Sequence, residues 1–307
     1  MTELATFTPN PTIDIACEVE RLVPTHKLRA SGERHDPGGG GINVARVYVR
    51  LGGDARCVYL AGGAGGQALD GLLDLHLLVR ARVPIRGETR MCTTVRERAS
   101  GLEYRFVPEG PEIAEPEWRA CLDVLAATRC RYLVASGSLP RGMPDDFYAR
   151  VAAGAAERGQ RFVLDSSGRG LASGLAAGGV FLVKPSLDEL ASLAGHPLVD
   201  DGDIEAAALA LVARGAAELV AVTMGARGAL LASAAGCLRQ APIPVVTASA
   251  VGAGDSFLAA MVHALVQGWP LEEACRFGNA AGAAAAMTPG TDLAPAAEIH
   301  RLYAGSA

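Results

Sequence analysis

The residues best suited to chemistry lie in Val251-Gly252-Ala253-Gly254-Asp255-Ser256, where a glycine-rich turn and a carboxylate run straight into an apolar helical stretch. Glycines at a helix start let the backbone approach a ligand and leave free N–H groups pointing outward, and with the helix dipole these form an anion site. The same field is expected to hold Asp255 ionised. The carboxylate can then take a proton from an alcohol while the amides of Gly252, Ala253 and Gly254 stabilise charge on a transferring phosphoryl group. A plain turn with an N-capping Asp fits the same spacing, although a cap alone does not need the Gly-Ala-Gly cluster.

Two further glycine-rich places stand before helices. Pro37-Gly38-Gly39-Gly40-Gly41-Ile42-Asn43-Val44-Ala45 carries a backbone-entropy cost that usually accompanies close approach of a ligand, and Asn43 is placed to reach that ligand's hydroxyls. Gly63-Ala64-Gly65-Gly66-Gln67-Ala68 fits GxGxxA after a strand, which raises a nicotinamide oxidoreductase as an alternative. It does not follow the first strand, and no acidic strand end stands where a ribose partner belongs, so a tight strand-to-helix turn is the better reading. No GxxxxGK[ST] or Gly-x-Ser-x-Gly occurs, and the six His lack metal-ligand spacing.

The elements that must carry these residues alternate. Strand patterns at Leu4–Thr8, Cys57–Leu60, Tyr132–Ala135, Phe162–Leu164, Val180–Val183 and Leu219–Thr223 are interleaved with helical patterns at Ile42–Leu51, Gln67–Leu78, Asp145–Arg158, Ile204–Arg214, Gly254–Gln267 and Leu271–Met287. This order predicts an α/β fold, a doubly wound and mostly parallel sheet flanked by helices. Four segments break the rhythm. Thr89–Arg98 and Glu103–Val107 form a hairpin pattern around Ala99-Ser100-Gly101, and Ile13–Val19 and Lys27–Glu33 also read as extended. They predict a small β-sheet lid from insertions at 11–36 and 86–108, with 1–10, 37–85 and 109–307 as the main domain.

With 307 residues and half of them hydrophobic, the chain can bury a substantial core. Its formal net charge of -5 argues against a nucleic-acid partner. The seven Cys are scattered without a CxxC pair, which fits reduced thiols in the cytoplasm rather than a disulfide framework or zinc site. MTELATFTPN lacks a signal-peptide pattern, and no apolar run has the uninterrupted length of a membrane helix.

Six motifs in order resemble the ribokinase-type (PfkB) sugar kinase family. They are Thr8-Pro9-Asn10-Pro11-Thr12-Ile13-Asp14, Pro37–Arg46, Ser136-Gly137-Ser138-Leu139-Pro140, Leu164-Asp165-Ser166-Ser167, Val183-Lys184-Pro185 and Val251–Ser256. Lys27-Leu28-Arg29, the all-glycine run and Tyr104-Arg105-Phe106 point to its 6-phosphofructokinase branch. The resemblance implies a ribokinase-like fold whose lid serves a homodimer, MgATP as phosphoryl donor, and fructose 6-phosphate as acceptor at its 1-hydroxyl. Tagatose 6-phosphate kinase and 1-phosphofructokinase are the near alternatives. A catalytically weak sugar-phosphate-binding protein is a further one.

By position, Asp255 would be the base. Asp14, Gly38, Gly39, Gly40, Asn43 and Ser138 would hold the sugar, and Lys27, Arg29 and Arg90 its 6-phosphate. Lys184, Ser186, Thr223, Gly225, Gly228, Gly254, Asn279 and Ala283 would serve ATP, and Glu189 would hold Mg²⁺ through water. Backbone carbonyls around Ser249, Val251, Ala285 and Gly290 would hold K⁺. Lys27 and Arg29, two apart in an extended segment, share a side. From residue types alone, solvated surface charge is the simpler reading of all three cations. The chain departs from the family pattern at Ser186 (usually Asn), Ala250 (Thr), Thr288 and Asp292 (Asn and Arg) and His26 (Gly).

Overall fold

The computed structural model describes residues 2–306. Its strands are β1 (Thr2–Thr8), β2 (Thr12–Val19), β3 (Ser31–Gly38), β4 (Ala55–Ala61), β5 (Val79–Pro84), β6 (Arg90–Glu97), β7 (Glu103–Phe106), β8 (Cys130–Ser136), β9 (Arg161–Asp165), β10 (Val180–Val183), β11 (Ala217–Thr223), β12 (Ala229–Ser233) and β13 (Gly236–Gln240). The helices are α1 (Gly40–Arg50), α2 (Gly63–Leu75), α3 (Glu115–Ala127), α4 (Phe147–Glu157), α5 (Gly168–Ala176), α6 (Leu187–Ala194), α7 (Asp201–Ala213), α8 (Ala253–Val266), α9 (Leu271–Ala286) and α10 (Ala296–Gly305).

Near-continuous apolar runs such as Tyr132–Ala135 are fully buried, as strands covered on both faces must be. They assemble in the order β13-β12-β11-β10-β9-β8-β1-β4-β5. Neighbours from β11 to β5 pair in parallel, and β12 and β13 close one edge antiparallel. One core layer packs Ile42, Val44 and Val47 of α1 with Phe257 and Met261 of α8 and Phe277 of α9. The other packs Phe147 and Val151 of α4, Leu171 of α5 and Ile204 of α7. The wealth of Gly and Ala has a use here: a Cβ on Gly278 would sit 2.9 Å from the Phe257 carbonyl oxygen, so α8 and α9 lie nearly backbone to backbone.

The four segments that break the α/β rhythm form their own sheet, ordered β3-β2-β6-β7. β6 and β7 are the expected hairpin, and β2 joins it by parallel pairing with β6. Pairing register places Asp14, Arg90 and Arg105 on one face and Ile15, Met91, Tyr104 and Phe106 on the other.

Three expectations shift. The extended reading of Lys27–Glu33 is only partly right: β3 begins at Ser31, and residues 21–30 are irregular, with Thr25 at φ 64. Lys27 and Arg29 are therefore exposed loop residues, and strand alternation does not align them. The helix read as Gln67–Leu78 is α2, which starts at Gly63 because its first amides find partners in a neighbouring segment, and which stops before Leu77, at φ 57. Seven further elements, α3, α5, α6, α10, β5, β12 and β13, fill the remaining chain.

Gly41 sets the distance between α1 and β1. A Cβ there would lie 2.7 Å from the Phe7 carbonyl oxygen and 2.5 Å from Thr8 Oγ1. Gly41→Ala is expected to lower unfolding free energy by roughly 1–3 kcal/mol, read as a reduced urea midpoint at unchanged slope.

Candidate active site

The connections reverse direction across β1: the chain leaves it for β4 and β5, then returns to β8 on its other side. The crevice beyond the carboxyl ends of the strands at such a point is where open α/β sheets bind ligands. Here the ends of β1, β8 and β9 meet the starts of α1 and α8. Gly252, in the left-handed region at φ 71, turns the chain into α8, and Asp255 lies in its first turn. Asn43 of α1 donates through Nδ2 to Asp255 Oδ2 at 2.9 Å. Beside them Lys184 Nζ lies 3.1 Å from Asp165 Oδ1, and Ser136 Oγ donates to Asp165 Oδ2 at 3.2 Å.

The glycines are what let these groups converge. A Cβ on Gly40 would stand 2.1 Å from Ser136 Oγ and 3.3 Å from Asp255 Oδ1. On Gly38 it would stand 2.1 Å from Asp14 Oδ2, and on Gly254 3.2 Å from Lys184 Nζ. Gly39, at φ 109, adopts a backbone conformation closed to other residues at little cost.

The electrostatics differ from expectation at Asp255. The helix start does not hold its carboxyl at an ordinary value. Burial of the group pushes it up to about 6, and the Asp165 carboxylate pushes the same way, against the Asn43 hydrogen bond and the Lys184 ammonium. Asp255 remains half-buried as a residue, so its carboxyl is reachable from the crevice although protein atoms crowd it. Burial likewise lifts Asp14 to about 6, opposed chiefly by Arg105, then Arg46 and Arg90. Burial alone would lower Lys184, but the Asp165 and Asp255 carboxylates outweigh it and raise it. A base near neutrality beside a firmly charged ammonium suits proton abstraction next to an anionic group.

The expected phosphate cluster is not assembled as read. Arg90 starts β6, and its guanidinium donates to the carbonyls of Pro108 and Asn10, each at 2.9 Å. Lys27 and Arg29 are exposed on the 21–30 segment, whereas Arg105 is the strongest cationic influence on Asp14. Ser138 lies exposed just past β8.

Of the residues expected to serve a nucleotide, Ser186 pairs with Thr223 in a parallel bridge, and the Thr223 amide donates to the Pro185 carbonyl. Lys184, Ser186 and the Gly225–Gly228 turn thus share one wall. Ser186 and Glu189 form a reciprocal cap on α6, with Ser186 N donating to Glu189 Oε2 at 2.8 Å. Asn279 Nδ2 donates to the Ala241 carbonyl, and Ala283 is half-buried one turn further along α9. Among the described residues, no three His, Cys, Asp or Glu side chains converge as a metal site. A metal here would draw ligands from nucleotide phosphates and water, with the second oxygen of Glu189 able to join. Of the carbonyls expected for K⁺, that of Ala285 accepts from Thr288 N at 3.0 Å and from Thr288 Oγ1 at 2.8 Å.

The Gly63–Ala68 turn is filled from within. Glu88 Oε1 accepts from Gly65 N, and Thr89 Oγ1 accepts from Gly62 N. A carboxylate on those amides excludes a pyrophosphate, so the turn is structural. Reading the sequence for roles missed Asp165, Ser136, Arg46 and Arg105. Asp165 and Ser136 stood in recognisable motifs, and their signal was a polar residue closing an apolar strand.

A family model for pfkB family carbohydrate kinases matches residues 9–297. The ATP-dependent 6-phosphofructokinase isozyme 2 of Mycobacterium tuberculosis is 42% identical over 303 residues, covering 98% of this chain and 88% of its own. Phosphofructokinase-2 from Escherichia coli in complex with potassium superposes with a TM-score of 0.95 at 38% identity, covering 99% of both chains. The same enzyme in complex with fructose-6-phosphate gives 0.93 at 37% identity, covering 100% of this chain and 99% of its own.

A carboxyl at about 6 in the folded state, against 3.8 for an ordinary Asp, binds an extra proton between those values. Its ionisation therefore costs stability that is fully felt above about pH 6 and absent below about pH 4. Asp255→Asn is expected to be more stable than wild type by roughly 1–3 kcal/mol at pH 7, allowing for residual solvent screening, and to lose that advantage at pH 4. Thermal unfolding at the two pH values reads this directly.

Proposed function

The chain belongs to the pfkB family of carbohydrate kinases, and from that premise we propose that it transfers the γ-phosphoryl group of ATP to the 1-hydroxyl of fructose 6-phosphate, giving fructose 1,6-bisphosphate and ADP. The observation that carries this reading is the Asp255 carboxyl, raised towards neutrality, hydrogen-bonded by Asn43 and set at a glycine-rich helix start. The acceptor oxygen forms its bond to phosphorus as the bond to the ADP oxygen breaks, and Asp255 takes the hydroxyl proton. Amides at Gly252–Gly254 face the transferring group, and Lys184 neutralises negative charge beside it. Mg²⁺ bound with ATP would neutralise the phosphates and hold them in line, and Glu189 would orient its water shell.

Asp14, Gly38, Gly39, Gly40, Asn43 and Ser138 are proposed to hold the sugar. Arg90 is proposed to take its 6-phosphate, helped by Arg105 on the same lid face, with Lys27 and Arg29 as outer ligands from the exposed segment. Thr223, Gly225, Gly228, Asn279 and Ala283 are proposed to border the nucleotide. Carbonyls around Ser249, Val251 and Gly290 are proposed to hold K⁺, with the Ala285 carbonyl already accepting from Thr288. We take 11–36 and 86–108 as a lid and propose a homodimer through its apolar face. Met91, Tyr104 and Phe106 are 47%, 38% and 57% exposed there, an unusual concentration for a monomer's surface.

Asp255→Asn should lower kcat by about a hundred- to ten-thousand-fold with ATP affinity largely kept, measured by ADP release and nucleotide titration. Near-normal turnover would sink the base assignment. Fructose 6-phosphate should be preferred to fructose in kcat/KM, and Arg90→Ala should erode that preference mainly through KM; equal values in wild type would refute the phosphate reading. Phe106→Glu should yield monomers by sedimentation, and an unchanged mass would exclude this interface.

A further inference from the structure

Behind the Asn43 side chain lies a buried guanidinium that takes no part in the chemistry above. Arg46, one turn further along α1, is 2% exposed. Its Nη2 lies 3.1 Å from Asp36 Oδ1, and its Nη1 donates to the Pro37 carbonyl at 2.9 Å and reaches Asn43 Oδ1 at 3.5 Å. Asp36 is fixed in turn by Thr291 Oγ1 at 2.8 Å, and Arg34 stands 3.7 Å away.

We propose that Arg46, anchored by Asp36, is a positioning residue that sets the side-chain amide of Asn43 so that its nitrogen faces Asp255, favouring the ionised carboxylate. The inference rests on the reading of Asp255 as the base. A guanidinium offers only donors, and an ionised carboxylate only acceptors. An amide between them satisfies both in one orientation alone, oxygen to Arg46 and nitrogen to Asp255. Flipping it would bring its NH₂ against the guanidinium and its oxygen against the carboxylate. At 3.5 Å the Arg46–Asn43 contact is long, so the charge selects the orientation more than the bond holds it.

Three charged groups act on Asp255: Asp165, which closes β9, Lys184, which follows β10, and Asp14 on β2. The neutral amide of Asn43 on α1 is the polar link to Arg46. Arg46 also acts directly on Asp14, which must be separated from any effect through the amide.

The test is the pH dependence of kcat/KM for fructose 6-phosphate at saturating MgATP in wild type, Arg46→Met, Asn43→Ala and the double variant. Asn43→Ala and Arg46→Met should each move the acid limb upward from near pH 6 by about one unit, the expected cost of losing a hydrogen bond to a charged group. At pH 6 that reads as roughly a fivefold loss, fading by pH 8. The double variant should move the limb no further than Asn43→Ala, because the effect passes through the amide. An unmoved limb in Arg46→Met, or additive shifts in the double variant, overturns the inference.

Arg46→Met leaves Asp36 buried without its partner and can fail to fold. The pair Asp36→Asn/Arg46→Met removes both charges and carries the same expectation. Asp255→Asn separates the two readings. If it retains turnover, the base assignment falls and this inference with it. If it is inactive while the limb stays in place, the positioning role alone falls.

Discussion

A carboxylate crowded by protein, repelled by a second carboxylate and with one ammonium acting on both, is the arrangement on which the rest of the site depends. Asp255 and Asp165 repel, and Lys184 lies 3.1 Å from Asp165 and acts on both. Were the ammonium absent, the repulsion between the two carboxylates would go unopposed and push Asp255 further up. Were the crowding absent, Asp255 would titrate near an ordinary Asp and accept a proton only weakly. The structure holds it between these limits, and the sheet fixes its neighbours: Asp165 closes β9, Lys184 follows β10, and both strands pair with parallel neighbours.

The glycines follow from the same constraint. Four polar side chains from separate elements must approach within contact of the α1 and α8 starts, and any Cβ at Gly38, Gly40 or Gly254 would occupy the space they use. Gly41 then lets α1 settle on β1, which places Asn43 within 2.9 Å of Asp255. The small sheet adds the remaining charge. Its polar face brings Asp14 and two arginines to the crevice, while its opposite face leaves aromatic and aliphatic side chains uncovered.

Much of this was legible before the structure. Apolar runs such as Tyr132–Ala135 announce buried parallel strands, and the hairpin at Ala99–Gly101 announces the small second sheet, because both depend on local periodicity. Asp255 and Asn43 were legible because glycine clusters before helices are costly and ask for a reason. Charge was not. Whether a helix start or burial governs Asp255 depends on the neighbours that three-dimensional packing supplies, and burial wins. Lys27 and Arg29 were aligned by an extended pattern that the chain does not adopt before Ser31. Arg46 and Arg105 stand inside motifs of the resemblance, yet nothing local marks their roles, since an arginine in a helix or hairpin is ordinarily solvated. Glu88, which fills the Gly63–Ala68 turn, lies 23 residues from Gly65, beyond any local pattern.

The central claim is that Asp255 is a carboxyl raised to about 6 and yet ionised at neutral pH. A difference proton titration of wild type against Asp255→Asn, both folded and free of ligand, measures it without reference to turnover. A single extra proton taken up by wild type with a midpoint near pH 6 is the predicted result. A midpoint near pH 4, where an ordinary Asp titrates, would contradict the account.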